Sequence, residues 1–331
     1  MLKVGIIGCG SIMKIAHLPA YEKILKENGP VVVEAYCDIY AEAMEGLKGR
    51  LYTNVDEMLK AEQGKLDYID ICVPTYVHSE IAVKALEAGF PVLCEKPMAR
   101  TIEQSQAMID AAKRTGKLLM CAYCNRFYTG ARTIRDLIRS GEFGKVRSAE
   151  FHRIGGPHPK GRDNWFCDAE LSGGAMLDLH IHDADMIQWM FGMPNAVSAA
   201  AMVEDTGGYD RMSVNYMYDN QVFVNATCDW IVAENKFDSR VIRVNFEKGY
   251  LFCDRTPDRQ SFVKVAEDGT VTDLVEKLPL DAYYNEILYF ADCLANNKPV
   301  SECTPEASLD SIKLIMAEMK SADLNGERVA L

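Results

Sequence analysis

The sequence predicts an α/β protein of two domains, the first a parallel sheet flanked by helices and the second dominated by strands. Three observations carry that expectation. Strand-like and helical segments alternate through the first ~120 residues, as in successive βαβ units. Alternating strands then prevail from Lys145 to Asp273. The length, 331 residues, suits two domains on a prior of about 150 residues each.

The elements follow in order. Leu2 to Ile7 is an apolar, β-branched run of buried-strand length, broken by Gly8, Cys9 and Gly10 before a helical pattern runs from Ile12 into Leu25. Val31 to Asp38 is the second strand, after the Asn28-Gly29-Pro30 turn. Tyr68 to Val73 is a strand ending at Pro74, a helix spans Ser79 to Ala88, and Phe90 to Cys94 is another short strand. Thr101 to Thr115 is a helix closed by Gly116, and Leu118 to Tyr123 ends the alternating half. A helix over Arg132 to Ser140 and one near Met176 to Met190 interrupt the later strands. Val214 to Tyr218 and Val222 to Thr227 form a hairpin, and helices over Tyr283 to Ala295 and Pro305 to Ala322 close the chain. The topology changes near residue 122, giving domains 1–122 and 123–331.

A strand, a tight glycine turn and a helix are the parts of a dinucleotide site. Gly8 permits the turn and Gly10 lets the backbone approach a pyrophosphate, with Ser11 and Ile12 at the helix start offering amides to the negative charge. Met13 stands where a third glycine or alanine commonly allows close helix–strand packing, so the helix is expected slightly further from the sheet. Asp38, at the end of the second strand, is placed to accept hydrogen bonds from the ribose hydroxyls. No Arg or Lys follows it in Ile39-Tyr40-Ala41-Glu42 to pair a 2′-phosphate, so NAD is favoured over NADP. The plainer alternative is that Asp38 only opens a turn.

The net charge of −12 argues against non-specific nucleic-acid binding and against anionic membranes. No apolar run approaches the roughly 20 residues that span a bilayer, and the chain enters its first strand without a signal-peptide pattern. Eleven cysteines lie mostly in strand-like segments, which suits free thiols in a reducing cytoplasm. Cys121 and Cys124 have CxxC spacing but no second pair to complete a zinc site, and no metal is expected.

Lys96 follows a parallel strand, where ligands bind in open α/β sheets, and Pro97 biases it away from helix. A lysine held there can bond a substrate hydroxyl and stabilise alkoxide character as hydride leaves; its alternative is a solvated surface lysine. Asp178 and His182 are four apart in a helical stretch and share a face. Such a His can take a hydroxyl proton near neutral pH while the carboxylate orients the substrate or supports the imidazolium. The alternative is a buried, hydrogen-bonded histidine. His180 points to another face, which disfavours a metal site with His182.

These residues resemble the glucose–fructose oxidoreductase, inositol dehydrogenase and MocA family over the full length. The resemblance rests on GIIGCGSI at the start, VPTYVH at 73–78, CEKPMA at 94–99 and GGAMLDLHIHDADMIQWMFG at 173–192, with the late Tyr284–Glu286 helix and the closing Val329 strand. It implies a Rossmann domain, then a domain on a large, open, mainly antiparallel sheet that serves in a homodimer or homotetramer. It further implies Lys96, Asp178 and His182 as catalytic, with His182 the general base and Asp178 its substrate-binding partner. Pro74, Thr75 and His78 would border the nicotinamide ribose, Glu95 would touch the ribose or cap the lysine turn, and Asn125 and Arg126 would lie near the cleft. For Arg126 the alternative is an ordinary surface charge. His152, Arg153, the loop at 155–158 and Trp165 are expected around the substrate. The expected function is a cytoplasmic NAD-dependent oxidoreductase acting on a secondary hydroxyl or ketone of a sugar, inositol or related polyol. The rival is a non-catalytic nucleotide-binding protein on the same scaffold, which would have no chemical need for Lys96, Asp178 and His182 together.

Overall fold

The computed structural model describes residues 1–155, 161–230, 238–256, 259–278 and 282–331. The chain forms two compact units, one of Met1–Phe127 with Asp281–Ile312, the other of Tyr128–Leu280 with Lys313–Leu331. The topology change near residue 122 is thus followed by a return to the first unit, which a boundary between 1–122 and 123–331 does not contain.

In the first unit, six parallel strands form one sheet: β1 (Leu2–Ile7), β2 (Val31–Cys37), β3 (Arg50–Tyr52), β4 (Tyr68–Ile71), β5 (Val92–Glu95) and β6 (Leu119–Ala122). Their order is β3-β2-β1-β4-β5-β6, the doubly wound arrangement whose ligand crevice lies beyond the carboxyl ends of the strands. β4, β5 and β6 are buried throughout, as parallel strands covered on both faces must be. The helices are α1 (Leu18–Lys26), α2 (Val55–Ala61), α3 (His78–Glu87) and α4 (Ile102–Thr115). The Thr101 hydroxyl caps α4 by accepting from the Gln104 amide, and Gly116, at φ +67°, ends it in the left-handed region.

The first helix departs from its expected form. A wide π-type turn over Met13–His17 precedes α1. Met13 is fully buried there, so the wide turn coincides with the large side chain that replaces a small one.

The second unit is built on a nine-stranded sheet, β7 (Val146–Gly155), β8 (Ala196–Val203), β9 (Tyr209–Met217), β10 (Phe223–Asp229), β11 (Asp238–Phe246), β12 (Gly249–Thr256), β13 (Arg259–Ala266), β14 (Val271–Asp273) and β15 (Val329–Ala330). The order is β14-β13-β12-β11-β7-β10-β9-β8-β15, antiparallel except where β10 runs parallel to β7. Its helices include α5 (Thr129–Ser140), α6 (Ala169–Ser172) and α7 (Ile181–Phe191), while α8 (Ala282–Ala295) belongs to the first unit and α9 (Pro305–Asp323) runs past Ile312 into the second. The period-2 alternation of β7 buries Ala149, Phe151 and Arg153 and turns Ser148, Glu150 and His152 to the other face. That other face is largely polar: Asn225 lies opposite Glu150 and Asn215, and Arg243 opposite Glu150. Exposed Phe223 and Tyr250 interrupt it. All eleven cysteines are free thiols, and all but half-buried Cys167 are buried. Among the described residues no helix is long and apolar enough to cross a membrane.

Candidate active site

The loops after β1, β4, β5 and β6 carry most of the residues expected around the cofactor, at the carboxyl ends of neighbouring parallel strands. Gly8 has φ +96°, and a Cβ there would lie 2.6 Å from the Cys72 carbonyl, so only glycine fits between the loop and β4. A Cβ on Gly10 would meet nothing within 4 Å, and Gly10 and Ser11 are exposed. The loop therefore leaves open space above its own backbone, as a pyrophosphate requires. Half-buried Ile12 precedes the wide turn. Burial pushes the intervening Cys9 thiol up to about 12, which keeps it neutral beside that space.

β2 ends one residue earlier than expected, at Cys37, and Asp38 follows it half-buried. Its Oδ2 accepts the Cys9 amide at 2.8 Å and its Oδ1 accepts the Tyr40 amide at 2.9 Å. Asp38 thus organises the turn and also ties it to the glycine loop. Two carboxylate oxygens offer about four lone-pair sites, so acceptor capacity remains for ribose hydroxyls. This donor and acceptor set fits a dinucleotide.

Pro74 and Thr75 sit in the loop after β4, with Thr75 buried. His78 differs from its expected part at the cofactor. It is 1% exposed, with Nδ1 2.8 Å from the Pro97 carbonyl and Nε2 2.9 Å from the Val73 carbonyl. Both ring nitrogens face backbone carbonyls and a neutral ring can donate to one of them, so His78 packs between the β4 and β5 loops rather than reaching outward. Burial holds its pKa below the ordinary histidine value in spite of those two carbonyls.

Glu95 closes β5 and is buried; its Oε2 accepts the Lys96 amide at 3.1 Å, so it caps the lysine turn. Lys96 itself is half-buried, and the peptide joining it to Pro97 is cis. Asn125 and Arg126 follow β6 in a short 3-10 turn, 4% and 3% exposed, so Arg126 is not a surface charge. The Asn125 Nδ2 is buried without a hydrogen-bond partner among the described residues.

In the second unit, Asp178 lies in a π-type turn over Met176–His180 and His182 in the first turn of α7. Wide turns of this kind are frequent at functional sites. Of the five ionisable residues between 178 and 185, only Asp178 and His182 keep partial exposure; His180, Asp183 and Asp185 are buried. His180 Nε2 lies 3.1 Å from Glu318 Oε2 and from the Tyr216 hydroxyl. Asp183 receives a bidentate bond from Arg153, at 2.8 and 2.7 Å, pinning this turn to β7.

His152 requires a correction. Strand alternation places it on the exposed face, bonded to the Thr227 hydroxyl, opposite the face from which Arg153 reaches α7. Half-buried Trp165 stacks on Phe166 at 3.8 Å, and Phe166 meets Trp230 edge-on at 6.1 Å. Of the expected loop at 155–158, Gly155 ends β7 and 156–158 lie outside the described residues.

A group unforeseen in the sequence lies beneath Lys96. Fully buried His17 is bonded through both ring nitrogens, Nδ1 to Asp70 and Nε2 to Glu95, each at 2.8 Å. His17, Asp70 and Cys72 are also the one group among the described residues close enough to share a metal ion. Both imidazole nitrogens already sit at hydrogen-bond distance from carboxylates, the signature of a proton-sharing network rather than of ligands around an ion.

Residues 2–123 match the NAD-binding Rossmann fold of the oxidoreductase family, and residues 131–252 match the GFO/IDH/MocA C-terminal domain. The chain is 30% identical over 209 residues to D-glucoside 3-dehydrogenase of Escherichia coli K12, covering 60% of this chain and 57% of that protein. It is 27% identical over 263 residues to inositol 2-dehydrogenase of Rhizobium meliloti 1021, covering 71% and 76%. The chain spans about three-fifths of the length of several curated relatives it matches, 62% in one case and 57% in another. In fold it is similar to the WlbA dehydrogenase of Bordetella pertussis, crystallised with NADH and UDP-GlcNAcA, at a TM-score of 0.82 and 22% identity, covering 100% of this chain and 98% of that one. With a doubly wound sheet that keeps its glycine loop and acidic strand end, and with both halves matched in the same order, the chain belongs to the GFO/IDH/MocA oxidoreductase family.

Proposed function

We propose that the protein transfers hydride between NAD and a secondary hydroxyl or ketone of a sugar, inositol or related polyol. The observation that carries this reading is that, of the five ionisable residues between 178 and 185, only Asp178 and His182 keep partial exposure, in a chain whose Rossmann domain presents Lys96 at the end of β5. Bound NAD supplies the hydride acceptor. The Lys96 ammonium donates to the substrate oxygen and stabilises the negative charge that grows there as the C–H bond breaks. His182 takes the hydroxyl proton, and Asp178 orients the substrate and supports the imidazolium. The Asn125 Nδ2, buried with no hydrogen-bond partner among the described residues, is a further donor for substrate or cofactor, with Arg126 beside it. Trp165 is an aromatic candidate for packing against the C–H side of a sugar. Relatives named as D-glucoside and inositol dehydrogenases support this substrate class. The test follows NADH formation against a panel of sugars, inositols and their deoxy and amino analogues. NAD binding without turnover on any of them would defeat the reading.

The cofactor preference is expected to be NAD, because the Asp38 carboxylate repels a 2′-phosphate. Titration of both cofactors should show tighter NAD binding, and Asp38→Ala should narrow the gap; equal affinities in the unaltered protein would refute the assignment. We further propose a homo-oligomer joined through the second sheet in the manner of the family, in the reducing cytoplasm. The polar character of the open face in β7, β9, β10 and β11 means such an interface would use hydrogen bonds as well as Phe223 and Tyr250. Sedimentation at micromolar concentration showing only single chains would refute it.

A further inference from the structure

The hydrogen bonds around His17 form a continuous chain inside the first unit. The Tyr68 hydroxyl donates to Tyr21 at 3.0 Å, and Tyr21 donates to Asp70 Oδ2 at 2.8 Å. Asp70 binds His17 Nδ1, His17 Nε2 binds Glu95 Oε1, and Glu95 Oε2 accepts the Lys96 amide. The chain therefore starts in the sheet interior and ends on the backbone of the lysine.

An ionised carboxylate only accepts, so an imidazole bonded to one on each side carries a proton on both nitrogens. The groups facing this ring are Asp70 and Cys72 from β4 and its end, Tyr21 from α1, Glu95 from β5, and Tyr283 and Glu286 from α8. Burial opposes a charge on His17, and the Asp70 carboxylate outweighs it, so the ring titrates well above the ordinary histidine value. Glu286 is fully buried, and burial, with Glu95's charge adding, pushes it well above the usual carboxylate range. Glu286 therefore holds its proton, and the carboxylates bonded to His17 are those of Asp70 and Glu95.

We propose that His17 is a positioning residue for Lys96: a buried imidazolium that fixes the Glu95 carboxylate, which in turn fixes the lysine turn. This rests on the reading of Lys96 as the group that stabilises the substrate oxygen. Buried charges of this kind are seldom more stabilising than apolar packing of the same volume. Their placement at the root of the lysine points to a role in setting its geometry, where a displacement of about 1 Å costs on the order of 10²-fold in rate.

The first measurement needs no substrate. In NAD-loaded protein with ¹⁵N-labelled histidine, His17 should keep the doubly protonated signature well above the ordinary histidine titration range; a neutral tautomer at pH 7 overturns the clamp. In His17→Gln, and in the milder Asp70→Asn, the Lys96 amide proton should move upfield as its bond to Glu95 loosens, and an unmoved resonance overturns the link to Lys96. On a turned-over substrate, His17→Gln should lower kcat by about 10- to 100-fold with NAD affinity unchanged. The loss should vanish when the same change is made in Lys96→Met, because His17 acts through that lysine. Additive losses overturn the proposal. If the unaltered protein oxidises nothing on the panel, the dehydrogenase reading falls, and the histidine and amide signals still decide the clamp.

Discussion

His182→Ala is expected to lower turnover by a factor of about 10² to 10⁴, the usual contribution of a positioned acid–base group. Proton removal from the hydroxyl has to accompany hydride departure, or the reaction would pass through a protonated ketone. The base must be deprotonated for oxidation, so kcat should rise with pH through the titration of His182, and the variant should lose that limb. Cofactor affinity should stay nearly constant, because the glycine loop and Asp38 lie in the first unit and His182 in the second. A structural histidine would give the opposite pattern, a loss of stability with the pH profile intact. A variant with near-normal turnover on its true substrate would move the proton-accepting role to Lys96 or Asp178.

The Rossmann half was legible because its signals are local. An apolar run, a glycine turn and an acidic strand end occupy Leu2 to Asp38, and β1 spans the same Leu2 to Ile7 that its composition predicts. β3, with three residues, and α2, with seven, are too short to rise above the background of periodicity. The π-type turns at Met13–His17 and Met176–His180 read as plain helix, since one extra residue per turn barely disturbs an apolar stripe. His152 was misplaced although the signal was present: Ala149, Phe151 and Arg153 alternate with Ser148, Glu150 and His152, and one residue's shift in face decides the matter. The clamp under Lys96 left only faint traces, an aspartate within the apolar run Tyr68-Ile69-Asp70-Ile71 and a glutamate on α8. Its partners are 53 and 78 residues from His17, and pairings over such separations exist only in the folded chain.

Asp183→Ala is expected to cost about 3–5 kcal/mol of stability, because it breaks one side of a buried ion pair. The Arg153 guanidinium is 5% exposed and donates from two nitrogens to the two oxygens of Asp183, itself 4% exposed. Neither charge can return to water without moving β7 or α7, so the remaining guanidinium keeps its desolvation penalty and loses its bidentate partner. That is a different quantity from the net worth of the pair, which an apolar replacement of both residues measures. Arg153→Met combined with Asp183→Leu should therefore recover much of the loss, since a well-packed apolar pair of similar volume forgoes both the attraction and the penalty. Denaturant midpoints at constant slope provide the comparison. Asp183 adjoins His182, so the single variant should also depress turnover, by releasing the turn that holds the base. A single variant within about 1 kcal/mol of the parent would mean that water reaches Arg153 in solution, and the pinning of the His182 turn to β7 would have to be abandoned.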